Sequence, residues 1–121
     1  MTQEDKELLL KDLCARLPYG VIIQIKDWTV LDAELKIGHI NRLQISDVEL
    51  KPYLFPLSSM TEEQKVIYGD LCYSVIQSLA KNMQSELNEL INWLNANHFD
   101  YRGLIEKGLA IDATNLNIYR L

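Results

Sequence analysis

The sequence predicts an α+β domain on three observations. Apolar residues recur at helical spacing near the N-terminus and again through the second half of the chain. Between those stretches lie a β-branched run and an alternation of apolar and polar residues. Prolines and glycines stand where one period gives way to the next. The expected architecture is an N-terminal helix, a three-stranded antiparallel β-meander, two longer helices and one short helix, in a single domain over residues 1–121. A meander curled into a partial barrel is the variant, but the strands total few residues for closure, which favours an open sheet.

Thr2 opens the first helix. Leu9, Leu10, Leu13 and Leu17, with Cys14 beside them, form its apolar side, and Glu4, Asp5, Lys6, Glu7, Lys11 and Asp12 fall mostly on the other. Acids in the first turn and Arg16 in the last suit the helix dipole. Leu17-Pro18-Tyr19-Gly20 ends it, because the residue before proline is pushed out of the helical region. Residues 21–25 read as the first strand and 31–37 as the second, joined at Asp27-Trp28. Gly38-His39 supplies the next turn and residues 40–45 the third strand. Residues 51–59 contain Pro52 and Pro56 and read as a crossover, since proline suits neither a helix interior nor a central strand.

Either Ser59 with Glu62 or Thr61 with Gln64 forms a capping box for the next helix. Ile67, Leu71, Val75, Ile76, Leu79 and Met83 mark one face, and Leu87, Leu90, Ile91 and Leu94 mark another. Lys81-Asn82, with Gln84 and Ser85, divides this run into two helices with Ser85 as the second N-cap; one bent helix is the alternative. Residues 95–98 stop the run. Asp100 then caps a short helix over 101–107, with Gly108 just past its end. Residues 109–111 add an edge strand or pack down, and the tail from Ala113 is irregular.

Apolar residues make up 48% of the chain and charged residues 24%, as in an ordinary globular domain. Twelve basic groups against 17 acidic ones give a net charge of -5, spread over both halves. Without a basic arm to neutralise phosphates, nucleic acid is a disfavoured partner. No apolar run approaches the roughly 18 residues that span a bilayer, so no membrane partner is expected. Met1-Thr2-Gln3-Glu4-Asp5-Lys6 is polar and acidic, unlike a secretory signal, and a cytoplasmic location is the expectation.

Chemistry-bearing groups are sparse. Cys14 and Cys72 sit in helical patterns among apolar neighbours, which fits buried small hydrophobes better than nucleophiles or a disulfide. His98, Asp100 and Glu106 are too few for a metal set, and His98 and Asp100 fit a helix end and a cap. Glu62-Glu63 point in different directions from a first turn that favours carboxylates anyway. Ser58, Ser59 and Thr61 at a helix start have the groups to hold an anion, but their hydroxyls fit caps better. No catalytic residue, metal ligand or cofactor is assigned.

Aromatic and arginine side chains on loops are the types that anchor protein interfaces. Tyr53, Phe55, His98, Phe99, Tyr101 and Arg102 occupy such positions beside helix termini and form the candidate partner-binding set. The competing reading buries these aromatics as the plug between sheet and helices, and it favours Trp28 and Trp93 as packing residues too.

Two segments carry a family resemblance. Lys51-Pro52-Tyr53-Leu54-Phe55-Pro56-Leu57-Ser58-Ser59-Met60-Thr61-Glu62-Glu63 resembles a motif in short uncharacterised proteins of gut Bacteroides and related bacteria. Trp93-Leu94-Asn95-Ala96-Asn97-His98-Phe99-Asp100-Tyr101-Arg102-Gly103-Leu104-Ile105, continued by Glu106 to Ala110, resembles the matching C-terminal motif. Such proteins look like products of prophages and other mobile elements. The resemblance implies an origin and transfers no activity, cofactor or catalytic residue.

The expected function is a non-enzymatic protein-interaction or accessory factor of mobile-element type, with an unidentified protein partner and homodimerisation left open. Two alternatives stand beside it. A small nucleic-acid-binding module requires a barrel-like sheet gathering Lys26, Lys36, Arg42 and Lys51 on one face. A small enzyme requires His98 and Asp100 to meet a Cys or Glu in one pocket.

Overall fold

A computed structural model describes residues 1–46, 48–78 and 84–119. Helix α1 (Gln3–Arg16) begins at Thr2, whose hydroxyl accepts the Asp5 N–H at 3.0 Å. A 3-10 turn at Leu17–Tyr19 and left-handed Gly20 then aim the chain into the sheet. Strands β1 (Ile22–Lys26) and β2 (Val30–Glu34) form an antiparallel hairpin, registered from Ile22 opposite Glu34 to Lys26 opposite Val30.

The third strand of the antiparallel part is not residues 40–45. Those residues belong to helix α2 (Ile37–Ile45). The Lys36 N–H donates to His39 Nδ1 at 2.9 Å and closes the first turn, while buried Ile40 and Leu43 stand three residues apart on one helical face. A β-strand would have pointed those two side chains to opposite faces. The central strand is instead β3 (Glu49–Pro56), which takes in residues 51–56 of the proline-bearing segment 51–59 read as a crossover. It pairs antiparallel with β1, setting Pro52 across from Ile23. Leu50, Tyr53 and Leu54 are buried along β3. Burial of that run offsets the single ladder donor that Pro52 lacks.

The sheet is therefore mixed and open, not a pure meander or a barrel. Its order is β2-β1-β3-β4, and β5 also pairs with β3. Both β4 (Phe99–Asp100) and β5 (Ile111–Asp112) run parallel to β3. The Phe55 N–H donates to the His98 carbonyl at 2.8 Å, and the Leu54 carbonyl accepts the Ala113 N–H at 2.9 Å. Because the C=O and N–H of one trans peptide point opposite ways, β4 and β5 flank opposite edges of β3.

Helices α3 (Glu62–Gln77) and α4 (Gln84–Ala96) are separate elements. Thr61 and Gln64 form the capping box. The Lys81-Asn82 break, with Leu79 and Met83, lies outside the described residues, and Ser85 falls inside α4 instead of capping it. The short helix expected over 101–107 is a series of turns. Gly103 and Gly108 adopt φ of 73° and 74°, outside the helical region. The Asp100 carboxylate accepts the N–H groups of Leu104 and Ile105, both at 2.9 Å, so it caps a loop.

The main core packs Leu9 and Leu13 of α1 against Ile23, Ile25, Leu50 and Leu54 of the sheet, with Leu104 and Leu109 closing one end. A smaller cluster of Met60, Leu94 and Phe99 joins α4 to the sheet edge. Among the described residues, no helix is long and apolar enough to cross a membrane.

Candidate functional site

The pairing of β3 with β4 brings the two halves of the candidate site together, with Phe55 opposite Phe99 in register. Their rings meet edge to face at 6.4 Å, and Phe55 also lies 5.7 Å from the Tyr119 ring. His98 stacks on Tyr119 at 3.9 Å, held there by a left-handed backbone with φ of 61°. Burial, and then the positive charge of Arg16, push the His98 pKa down to about 4. The ring is therefore neutral near pH 7.

Exposure separates the six side chains. Tyr53 is 5% exposed and Phe99 is 2% exposed, so both are interior groups. Phe55, His98, Tyr101 and Arg102 are half-buried. The Tyr53 hydroxyl donates to Asp32 Oδ1 at 2.6 Å and accepts from Gln24 Nε2 at 3.1 Å. Tyr119, which sequence reasoning left in an irregular tail, donates its hydroxyl to the Tyr53 carbonyl at 2.7 Å and accepts the Ile22 N–H at 2.8 Å. Burial pushes the Tyr119 pKa far above the ordinary tyrosine value.

Below this aromatic layer lies an ionic network. Arg16 Nε donates to Asp12 Oδ2 at 2.8 Å, and Arg102 Nη1 donates to Asp12 Oδ1 at 2.8 Å. Arg16 Nη2 also donates to the Phe99 carbonyl at 2.6 Å, tying α1 to β4. The two guanidinium carbons lie 5.2 and 4.7 Å from the Tyr101 ring centre, within cation–π range. The Tyr101 hydroxyl completes the set by donating to Asn95 Oδ1 at 2.7 Å.

Asp12 and Arg16 are fully buried, although Asp12 was expected on the wet side of α1. A signal was present in the sequence. Their i, i+4 spacing places both on the stripe that carries Leu9 and Leu13. The cysteine and tryptophan expectations also need correction. Cys14 is exposed and Cys72 half-buried. Trp28 is 97% exposed at the hairpin tip, whereas Trp93 packs against Phe99 and Tyr68.

A cleft of about 350 Å³ opens beside the aromatic layer. Phe55, Phe99 and Tyr119 form its apolar part, and Ser59, Thr61, Gln64 and Asn97 its polar part. A larger groove of about 550 Å³ lies at the N-terminal end of α1, with Lys6, Lys51 and Lys107 as well as Asp5 and Glu49 in its lining. The aromatic cleft draws residues from both segment 51–63 and segment 93–110. An aromatic floor with a sparse polar rim suits an apolar group whose orientation is fixed at its edge.

The residues of the two alternatives are disposed differently. Lys36 bonds Glu34, Arg42 bonds Asp27 and Lys51 pairs with Glu49, so local acids offset these basic groups. Both Asp100 oxygens are engaged by backbone N–H groups, and among the described residues no cluster of His, Cys, Asp and Glu has a metal-holding arrangement. Fold and site together define an α+β domain with an open mixed sheet and an aromatic-floored cleft. Comparison with protein-family models, curated proteins and solved structures finds no match to the chain.

Proposed function

We propose that the chain is a non-enzymatic protein-interaction factor that takes an apolar side chain of a protein partner into the Phe55–Phe99–Tyr119 cleft. The observation that carries this reading is the cleft itself. Its volume lies at the low end for ligand sites, which suits one or two large side chains better than a cofactor. His98 stacks on Tyr119 of that floor, Tyr101 packs against the cluster that contains Phe99, and Arg102 links Tyr101 to α1 through Asp12. On the resemblance of its two segments to proteins of gut Bacteroides and their mobile elements, we read the chain as a cytoplasmic accessory factor of prophage or mobile-element type.

Ser59→Arg tests the proposal, because it lays a long charged side chain across the cleft and leaves the aromatic floor intact. A partner recovered in stoichiometric amount with the native chain, and lost with Ser59→Arg at unchanged melting temperature, supports the reading. Retention of that partner by the variant overturns it. Recovery of nucleic acid in place of a protein transfers the function to the nucleic-acid alternative.

A further inference from the structure

We propose that α3 is the interface of a parallel, two-fold dimer of this chain. Val66, Gly69, Tyr73 and Ile76 are spaced three, four and three residues apart, the repeat by which helices pair in a coiled coil. Val66, Tyr73 and Ile76 are 64%, 63% and 59% exposed. This stripe is not the side of α3 that packs within the domain. That side carries half-buried Gln64, Tyr68, Leu71 and Val75, about 150° around the helix. Tyr68 on it stacks against Trp93.

Gly69 is a second, independent sign. Glycine is among the poorest helix formers, yet it sits in the middle of a 16-residue helix. A Cβ added there meets nothing within 4 Å, so no packing inside the domain requires its absence. A second helix crossing at that point would gain room to approach, because small residues let helix axes come close.

Charge selects the occupant and its direction. With Val66 and Tyr73 at a positions and Gly69 and Ile76 at d, Lys65 is a g residue and Asp70 an e residue. In a parallel pair g meets the e position five residues on, so Lys65 faces Asp70 of the second copy, twice by symmetry. An antiparallel pair turns e toward e and sets Asp70 against itself. Lys65 now bonds Glu62 at 3.2 Å on the surface, a contact that exchanges cheaply. Glu62 extends the stripe to an N-terminal d position and faces its own mate there, which limits the seam to about two heptads and makes association weak.

Sedimentation velocity between about 10 µM and about 1 mM tests the dimer, since association is mass-action dependent. The native chain is expected to dimerise within that range. Tyr73→Glu and Ile76→Glu should each weaken association by more than ~10-fold without lowering the melting temperature. Glu62→Leu should strengthen it. Lys65→Glu should weaken it, and adding Asp70→Lys should restore it. A chain that stays monomeric throughout overturns the proposal and leaves a foreign helix as the occupant of the stripe. A dimer that survives both glutamate substitutions places the interface elsewhere and overturns it too, and failure of the charge exchange to restore association overturns the parallel register.

Discussion

Asp12 balances two cations at once, because each of its oxygens accepts from a different arginine. Removing that carboxylate leaves the fully buried Arg16 guanidinium without a counter-charge. Asp12→Ala should therefore cost about 3–5 kcal/mol in urea unfolding. Arg102→Ala removes a partly exposed partner and leaves the Asp12–Arg16 pair intact, so the loss should be about 1–2 kcal/mol. His98 supplies a pH signature. Its folded pKa, about 4, lies below the ordinary value of 6.5, so the unfolded chain binds the proton more tightly between those limits. The contribution of neutral His98 is thus full above pH 6.5 and is lost as pH falls toward 4. His98→Asn keeps a side chain tolerant of the left-handed backbone and removes the titration. Its urea midpoint should fall less between pH 7 and pH 4.5 than that of the native chain. An equal fall in both proteins would refute the assignment.

At the scale of elements, local rules and burial pulled in different directions. The sequence leaves the Ser59–Glu62 and Thr61–Gln64 boxes both open ahead of α3, and the structure selects the second. A capping box there, the Thr2 cap and the β1–β2 hairpin follow from side chains within a few residues of one another, and they were legible. Strand β3 was not, because the proline rule speaks against it locally while its stabilisation comes from Ile23, Ile25 and Leu13, distant in sequence. Helix α2 was misread for a related reason. Ile40 and Leu43 fit a helical face, but the β-branched residues around them also have strand propensity, and six residues are too short a window to separate the two periods. Helix propensity yields a direct test at Gly69. With open space around the added Cβ, Gly69→Ala should stabilise the monomer by about 0.5–1 kcal/mol, measured by urea unfolding at low protein concentration. Thr61→Ala should cost about 1 kcal/mol by the same measurement through loss of the cap.

Across the whole molecule, stability is unevenly distributed. Helix α1 and strands β1 and β3 share the main cluster of buried residues, whereas α3 contains no buried residue. Native-state hydrogen exchange should accordingly show the amides of β1 and β3 most protected and those in the second half of α3 among the least. Uniform protection across both regions would contradict that division. The same unevenness separates the two proposed binding surfaces. The aromatic cleft is built against the rigid sheet edge, while the apolar stripe of α3 is carried on the element least committed to the core.

The α+β class, the N-terminal helix, the first hairpin and a capping box at the start of α3, though not which of two, were determined by the sequence alone, because each rests on periodicity or on side chains a few residues apart. The candidate aromatics and Arg102 were legible as residue types, and the two segments that hold them do meet at Phe55 and Phe99. Only the tertiary structure decided which of those rings are interior, that Tyr119 completes their layer, and that a charged pair from α1 lies beneath it. Arg16 and Phe99 stand 83 residues apart in the chain. Contacts of that range depend on the parallel docking of β4 against β3, which leaves no periodic mark in either segment and is fixed by burial and by the pairing of backbone groups removed from water.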